Sequence, residues 1–141
     1  MSTLTIGKVA AQTGVKVPTI RYYEDIGLLP EPGRSRGNQR VYEPSAVKRL
    51  SFIAHARELG FGLEQIKELL NLADDPGQPC AQANEIAAQH LKAIESRMKR
   101  LRSLKKELLN IVHVCANNGT IKDCQVIETL SNHGKCLSHS H

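Results

Sequence analysis

Four cysteines and six histidines are the side chains of this 141-residue chain whose type and spacing could do chemistry. Cys115 and Cys124 are separated by a polar stretch holding Asn117, Asn118 and Gly119, which can fold back and set the two sulfurs side by side. Two thiolates on such a loop make a soft, anionic site suited to Cu(I), Zn, Cd, Hg or Pb. A closed zinc site takes four ligands, so the pair alone is incomplete for that metal. His113, two residues before Cys115, could add a nitrogen; the plainer reading is a solvent-facing helical histidine. Cys136 with His133, His139 and His141 forms a tail able to capture metal, although tails of this composition are often merely polar. A Cys–His nucleophile would need an oxyanion hole, an orienting acid and a large pocket, and nothing supplies them, so the chain does not read as an enzyme. An iron–sulfur cluster would need closely grouped cysteines, and the spacings here are wide. A thiol switch joining Cys115 to Cys124 stays open as an alternative.

A second constellation is basic. Lys16, Thr19, Arg21, Tyr22 and Tyr23 fall on one short helical segment. Arg34, Arg36, Asn38, Arg40 and Tyr42 follow on a Gly- and Pro-containing stretch. An Arg at the start of a recognition helix can take both acceptors of a guanine, while Lys, Thr and Tyr hold phosphates. A lone Arg is better read as a solvated charge; five bases and three tyrosines on one helix and its wing are better read as a DNA surface. The net charge of +5 and a pI near 9.2 favour anionic partners in the same direction.

These residues need elements to hold them. Thr5 to Thr13 reads as a helix, Gly14 as a turn, and Pro18 as the first turn of a second helix running to Ile26. Pro30 to Gly37 reads as a loop, and Arg40-Val41-Tyr42 as a short strand. A third helix runs from Pro44 to Leu59 with Val47, Leu50, Ile53 and Ala54 as its apolar stripe, and a fourth from Leu63 to Leu72. The order predicts a mostly all-α chain with a winged helix-turn-helix over residues 1–73 and a linker over 74–80. A long helix is expected over 81–115, a loop and short helix over 116–130, and a polar, mobile tail over 131–141.

The long helix carries a countable seam: Leu91, Ile94, Met98, Leu101, Lys105, Leu108, Val112 and Cys115, in steps of three and four. A stripe that long needs a second chain, in a parallel or an antiparallel coil. Lys92, Glu95, Lys99, Arg102 and Lys106 lie off it and read as a solvated face. No apolar stretch approaches the ~20 residues that span a bilayer, and Met-Ser-Thr-Leu-Thr lacks the plan of a signal peptide. The expectation is a cytoplasmic protein with no membrane partner and with reduced thiols.

The runs Ile6-Gly7-Lys8-Val9-Ala10, Thr19-Ile20-Arg21-Tyr22-Tyr23-Glu24, Gly27-Leu28-Leu29-Pro30 and Arg40-Val41-Tyr42, with Leu59-Gly60-Phe61 beyond them, closely resemble the MerR family of bacterial regulators. The resemblance implies a homodimer with an antiparallel coiled coil on a two-fold operator inside an overlong promoter spacer. It further implies that effector binding distorts that DNA and aligns it for RNA polymerase. Many relatives carry an aromatic residue where this chain has Gln39, so one backbone contact of the wing is in question.

In an antiparallel dimer the start of one long helix lies beside the end of the other. The resemblance therefore implies a shared site: Cys80 of one subunit with Cys115 and Cys124 of the other. Copper- and gold-sensing relatives have Ser at the position of Cys80, so its thiol points to the divalent branch, with Zn, Cd, Pb or Hg as effector. Copper(I) remains the alternative metal. The regulated genes expected from the resemblance are those of metal efflux or detoxification.

Overall fold

Thr5 opens the first helix by accepting the Lys8 amide on its hydroxyl (3.4 Å), and Gly14, at φ 73°, closes it by donating to the Ala10 carbonyl at 2.9 Å. This computed structural model describes residues 3–115, 117 and 119–132. In chain order the elements are β1 (Leu4–Thr5), α1 (Ile6–Thr13), α2 (Val17–Asp25), β2 (Gly33–Arg34), β3 (Arg40–Tyr42), α3 (Pro44–Glu58), α4 (Leu63–Ala73) and α5 (Cys80–Val114). A single 3₁₀ turn (Ile121–Asp123) and α6 (Gln125–Ser131) follow. The chain divides into two units, Met1–Ile86 and Ala87–His141.

The first unit is built on one apolar cluster. Val9 of α1, Ile20 and Tyr23 of α2, Leu28 and Leu29 of the turn, Tyr42 of β3, Leu50, Ile53 and Ala56 of α3, and Ile66 and Leu70 of α4 are all buried together. Ile20, Ile53 and Ile66 are wholly enclosed. On α2 the inward positions are Ile20 and Tyr23, one helical turn apart, so Lys16, Arg21 and Tyr22 are turned outward. Gly27, at φ 83°, makes the turn that drops Leu28 and Leu29 into the core.

Two strands appear where the sequence pattern indicates none. Gly33–Arg34 pairs with β3 inside the expected loop, and Leu4–Thr5 pairs with its other edge, giving an antiparallel sheet of order β1-β3-β2. Strands of two residues are too short to show an alternating pattern, which is why only β3 is legible. On α3 Ala56 takes the buried place expected for Ala54, which is half-buried. Cys80 is the first residue of α5 and not the last of a linker; Cys115 follows the helix instead of ending it.

In the second unit α5 is the frame. Among the described residues of this unit, Glu107 and Ile111 of α5 and Thr129 of α6 are buried. Leu91, Met98, Leu101, Leu108 and Val112 of the seam stand 46–66% exposed, an apolar stripe open along the single chain. Among the described residues no helix is long and apolar enough to cross a membrane.

Candidate DNA interface and metal-binding thiols

The packing of α2 sorts the sequence-assigned DNA residues. Lys16 and Arg21 are exposed, Tyr22 is half-exposed, and Thr19 is partly covered. Tyr23 and Tyr42 are in the core, so their rings pack the fold and are not offered to a partner, contrary to the sequence expectation. Their burial follows from position: Tyr23 shares the inward face of α2 with Ile20, and Tyr42 alternates inward from Val41 on β3.

The wing is a closed hairpin. Ser35 donates its amide to the Gln39 carbonyl (2.9 Å), Asn38 donates to the Ser35 carbonyl (2.9 Å), and the Gln39 amide donates to Ser35 Oγ (3.2 Å). Asn38 takes φ 62°, a left-handed turn position that Asn tolerates well, and the Arg34 guanidinium reaches its carbonyl at 3.4 Å. Arg34, Arg36, Asn38 and Gln39 are exposed along this hairpin.

Arg40 behaves differently. Its Nη1 donates to Glu24 Oε2 at 2.7 Å, and the Tyr42 hydroxyl donates to the other oxygen, Oε1. The Glu24 side chain is only 6% exposed. Burial and the Glu24 acceptor push the Tyr42 hydroxyl up to about 12. Glu24 is the residue that sequence reasoning misses, although a signal is present: it lies four residues after buried Ile20, on the inward side of α2. A carboxylate placed there must find a cation.

The basic balance of the whole chain is not concentrated in this unit. Residues 1–86 hold ten Lys and Arg against ten Asp and Glu, whereas residues 87–141 hold nine against four. Local placement on α2 and the wing, not net charge, gives the first unit its cationic face.

In the second unit Asn117 at φ 58° and Gly119 at φ 87° reverse the chain after α5. Cys115 and Cys124 consequently line one open hollow with Val114, Asn117, Asp123 and Gln125. Cys115 Sγ lies 3.7 Å from Asn117 Oδ1. Cys124 sits at the N-cap of α6, and the amides of Ile127 and Val126 face its sulfur without closing a capping bond of normal geometry. These amides hold the thiol below its ordinary range, partial desolvation opposes them, and Cys115 adds a smaller lowering effect. A thiol prone to ionise beside a second thiol is a donor pair for a soft cation.

Cys80 is exposed at the first residue of α5 and Cys115 directly follows its last, a 35-residue helix that spans about 50 Å at ~1.5 Å per residue. Among the described residues no three His, Cys, Asp or Glu side chains of one chain gather as a metal-ligand set. The two thiols fit a soft metal. His113 is exposed on the last turn of α5, outside the lining of the hollow. His133, Cys136, His139 and His141 lie outside the described residues.

Residues 4–73 match the family described as MerR HTH family regulatory protein, and residues 47–111 match the one described as MerR, DNA binding. The chain is 36% identical over 125 residues to the mercuric resistance operon regulatory protein of Bacillus cereus, covering 89% of this chain and 95% of that one. A solved structure of the transcription regulator PbrR691 from Ralstonia metallidurans CH34 in complex with lead(II) is similar with a TM-score of 0.80 and 36% identity, over 90% of this chain and 98% of that chain. The regulator MerR of Bacillus megaterium MB1 in complex with mercury(II) is similar with a TM-score of 0.69 and 30% identity, over 92% and 100% respectively.

Proposed function

The chain belongs to the MerR family of helix-turn-helix transcription regulators, and from that premise we propose that it is a metal-responsive regulator of metal efflux or detoxification genes. The observation that carries the proposal is the placement of the thiols. Cys115 and Cys124 share one hollow at the end of α5, while Cys80 opens the same helix at its other end. The apolar stripe between them is uncovered in the single chain, as a helix awaiting its own copy would be. Two chains pair along α5 in antiparallel fashion, and this sets Cys80 of one beside Cys115 and Cys124 of the other.

Cys80 of one subunit with Cys115 and Cys124 of the other would hold a soft divalent ion, Zn, Cd, Pb or Hg, which would supply a cross-link between the two subunits. The relatives solved with lead(II) and mercury(II) support that class of metal and do not choose within it. The residues of each chain do the rest. Arg21 reads a base edge from α2, Lys16, Thr19 and Tyr22 flank it, and Arg34, Arg36 and Asn38 grip phosphates from the wing. The dimer lies on a two-fold operator within a promoter spacer, and metal binding changes the angle between its halves so that the DNA is distorted and RNA polymerase can engage.

Run-off transcription from the chain's own promoter tests this, with reduced protein titrated by Zn, Cd, Pb, Hg and Cu(I). Induction by a divalent ion in the wild type, and its loss in Cys115→Ser with DNA binding kept, is the expected result. Normal induction of Cys115→Ser overturns it. A response to Cu(I) alone moves the assignment to copper, and activation by oxidant in chelated medium moves it to a thiol switch.

A further inference from the structure

The two DNA-facing elements of the first unit are joined by one buried carboxylate. Glu24 stands near the end of α2, and both of its oxygens are taken by β3: Oε2 by Arg40 at 2.7 Å and Oε1 by the Tyr42 hydroxyl. Arg40 and Tyr42 alternate onto the same side of β3, so the strand is tied to the helix at two points. Through the sheet register Arg40 also lies opposite Arg34 of β2, and Val41 opposite Gly33. The base of the wing is therefore fixed to α2, while Arg34, Arg36 and Asn38 stand exposed beyond it. A two-oxygen tie of this kind sets orientation as well as distance, because a carboxylate held at both oxygens cannot pivot.

Arg40 itself is turned inward. Its side chain is 31% exposed and its Nη1 is committed to a carboxylate that is 6% exposed. Removing Arg40 would leave that carboxylate enclosed without its cation. A wing arginine facing only DNA would have no such partner, as Arg36 shows by its exposure.

We propose that Glu24 is a positioning residue for DNA binding: it locks the wing to the recognition helix through Arg40 and Tyr42, so that both elements meet the duplex as one rigid unit. Arg40 acts on DNA from inside this strut and not by gripping a phosphate. The proposal rests on the reading of α2 and the wing as the DNA surface. It makes the number of phosphates gripped by Arg34 and Arg36 depend on a residue that touches no DNA.

The full-length protein with a random-sequence duplex provides the test, since sequence-independent affinity reports phosphate binding alone. The readout is the slope of log K against log salt, taken well below the melting temperature of each variant. Arg34→Ala/Arg36→Ala, present in both protomers of the dimer, should flatten the slope by about 4, at roughly one for each of the two phosphates that each protomer no longer grips. Glu24→Gln should flatten it similarly with both arginines still present, and combining the three substitutions should add little more. A merely structural role for Glu24 would lower the melting temperature and leave the slope alone, and that result overturns the proposal. A wild-type slope in Arg34→Ala/Arg36→Ala overturns the wing reading beneath it, and the proposal with it. Should Glu24→Gln not fold, Tyr42→Phe decides, because it removes one tie and keeps the ion pair: a flattened slope supports the strut, and an unchanged one overturns it.

Discussion

The Arg49 guanidinium of α3 sits 2.9 Å from the Asp74 carboxylate, binding α3 to the residue that ends α4. An acid at a helix C-terminus is poorly placed against the helix dipole, and the arginine offsets it. The same side chain donates from Nε to the Leu28 carbonyl at 2.9 Å, just where the chain leaves α2 for the core.

These two interactions are not of equal worth, and that sets the first prediction. Asp74 is 57% exposed and Arg49 25%, so the ion pair is a surface pair worth about 0–1 kcal/mol. The Leu28 carbonyl belongs to a residue only 3% exposed, and leaving it unpaired costs about 1–3 kcal/mol. Arg49→Met should therefore destabilise the protein clearly more than Asp74→Asn does. Urea midpoints check this, and equal losses in the two variants would assign the effect to the ion pair.

Tyr42 gives a prediction in pH. Its hydroxyl is pushed up from the ordinary 10.0 to about 12, by burial first and by Glu24 second. The fold thus favours the protonated phenol, so its contribution is fully present below pH 10 and is lost as pH rises through about 12. An absorbance titration of tyrosinate should show a late ionisation step, and Tyr42→Phe should remove it. Three tyrosines titrating together near the ordinary value would contradict the burial argument.

Arg21 and Tyr23 are two residues apart on α2 and should fail in different ways. Arg21 is exposed, so Arg21→Ala should leave the melting temperature near wild type and weaken operator binding by about 1–3 kcal/mol if it reads a guanine. Tyr23 is 7% exposed in the core cluster, and Tyr23→Ala should lower stability by about 3–5 kcal/mol, as for other large aromatic truncations. Operator affinity at fixed salt and thermal melts separate the two. An unchanged affinity for Arg21→Ala removes that residue from the reading set.

Helix-scale features are legible in the sequence because they repeat. The seam from Leu91 to Val112 and the caps at Thr5 and Gly14 leave patterns that counting can find. The Glu24–Arg40 pair joins residues 16 positions apart, and no local pattern reports it. The same holds for Tyr42: alternation places it on a face of β3, but only the packed structure says that the face is the inner one. Cys115 and Cys124 can be paired because the loop between them is short and polar; the destination of Cys80 cannot be read so, because its helix carries it away from them.

That separation yields the last prediction. Cys80 and Cys115 bracket one continuous helix of about 50 Å, so an intact α5 cannot deliver both sulfurs of one chain to one ion. Mixed dimers test whether Cys80 completes the Cys115–Cys124 pair of the other chain. Pairing a Cys80→Ser protomer with a Cys115→Ser/Cys124→Ser protomer leaves one complete set of three thiols if the set is shared between chains, and none if it lies within a chain. Each variant homodimer should bind Hg(II) or Pb(II) more weakly than wild type. The mixed dimer, purified with different tags on its two chains, should regain wild-type affinity at half the wild-type stoichiometry. Absence of that regained site would sink the shared arrangement, and full affinity in the Cys80→Ser homodimer would strike Cys80 from the ligands. The outcome depends on connectivity alone, so it holds whichever soft divalent metal the cell monitors.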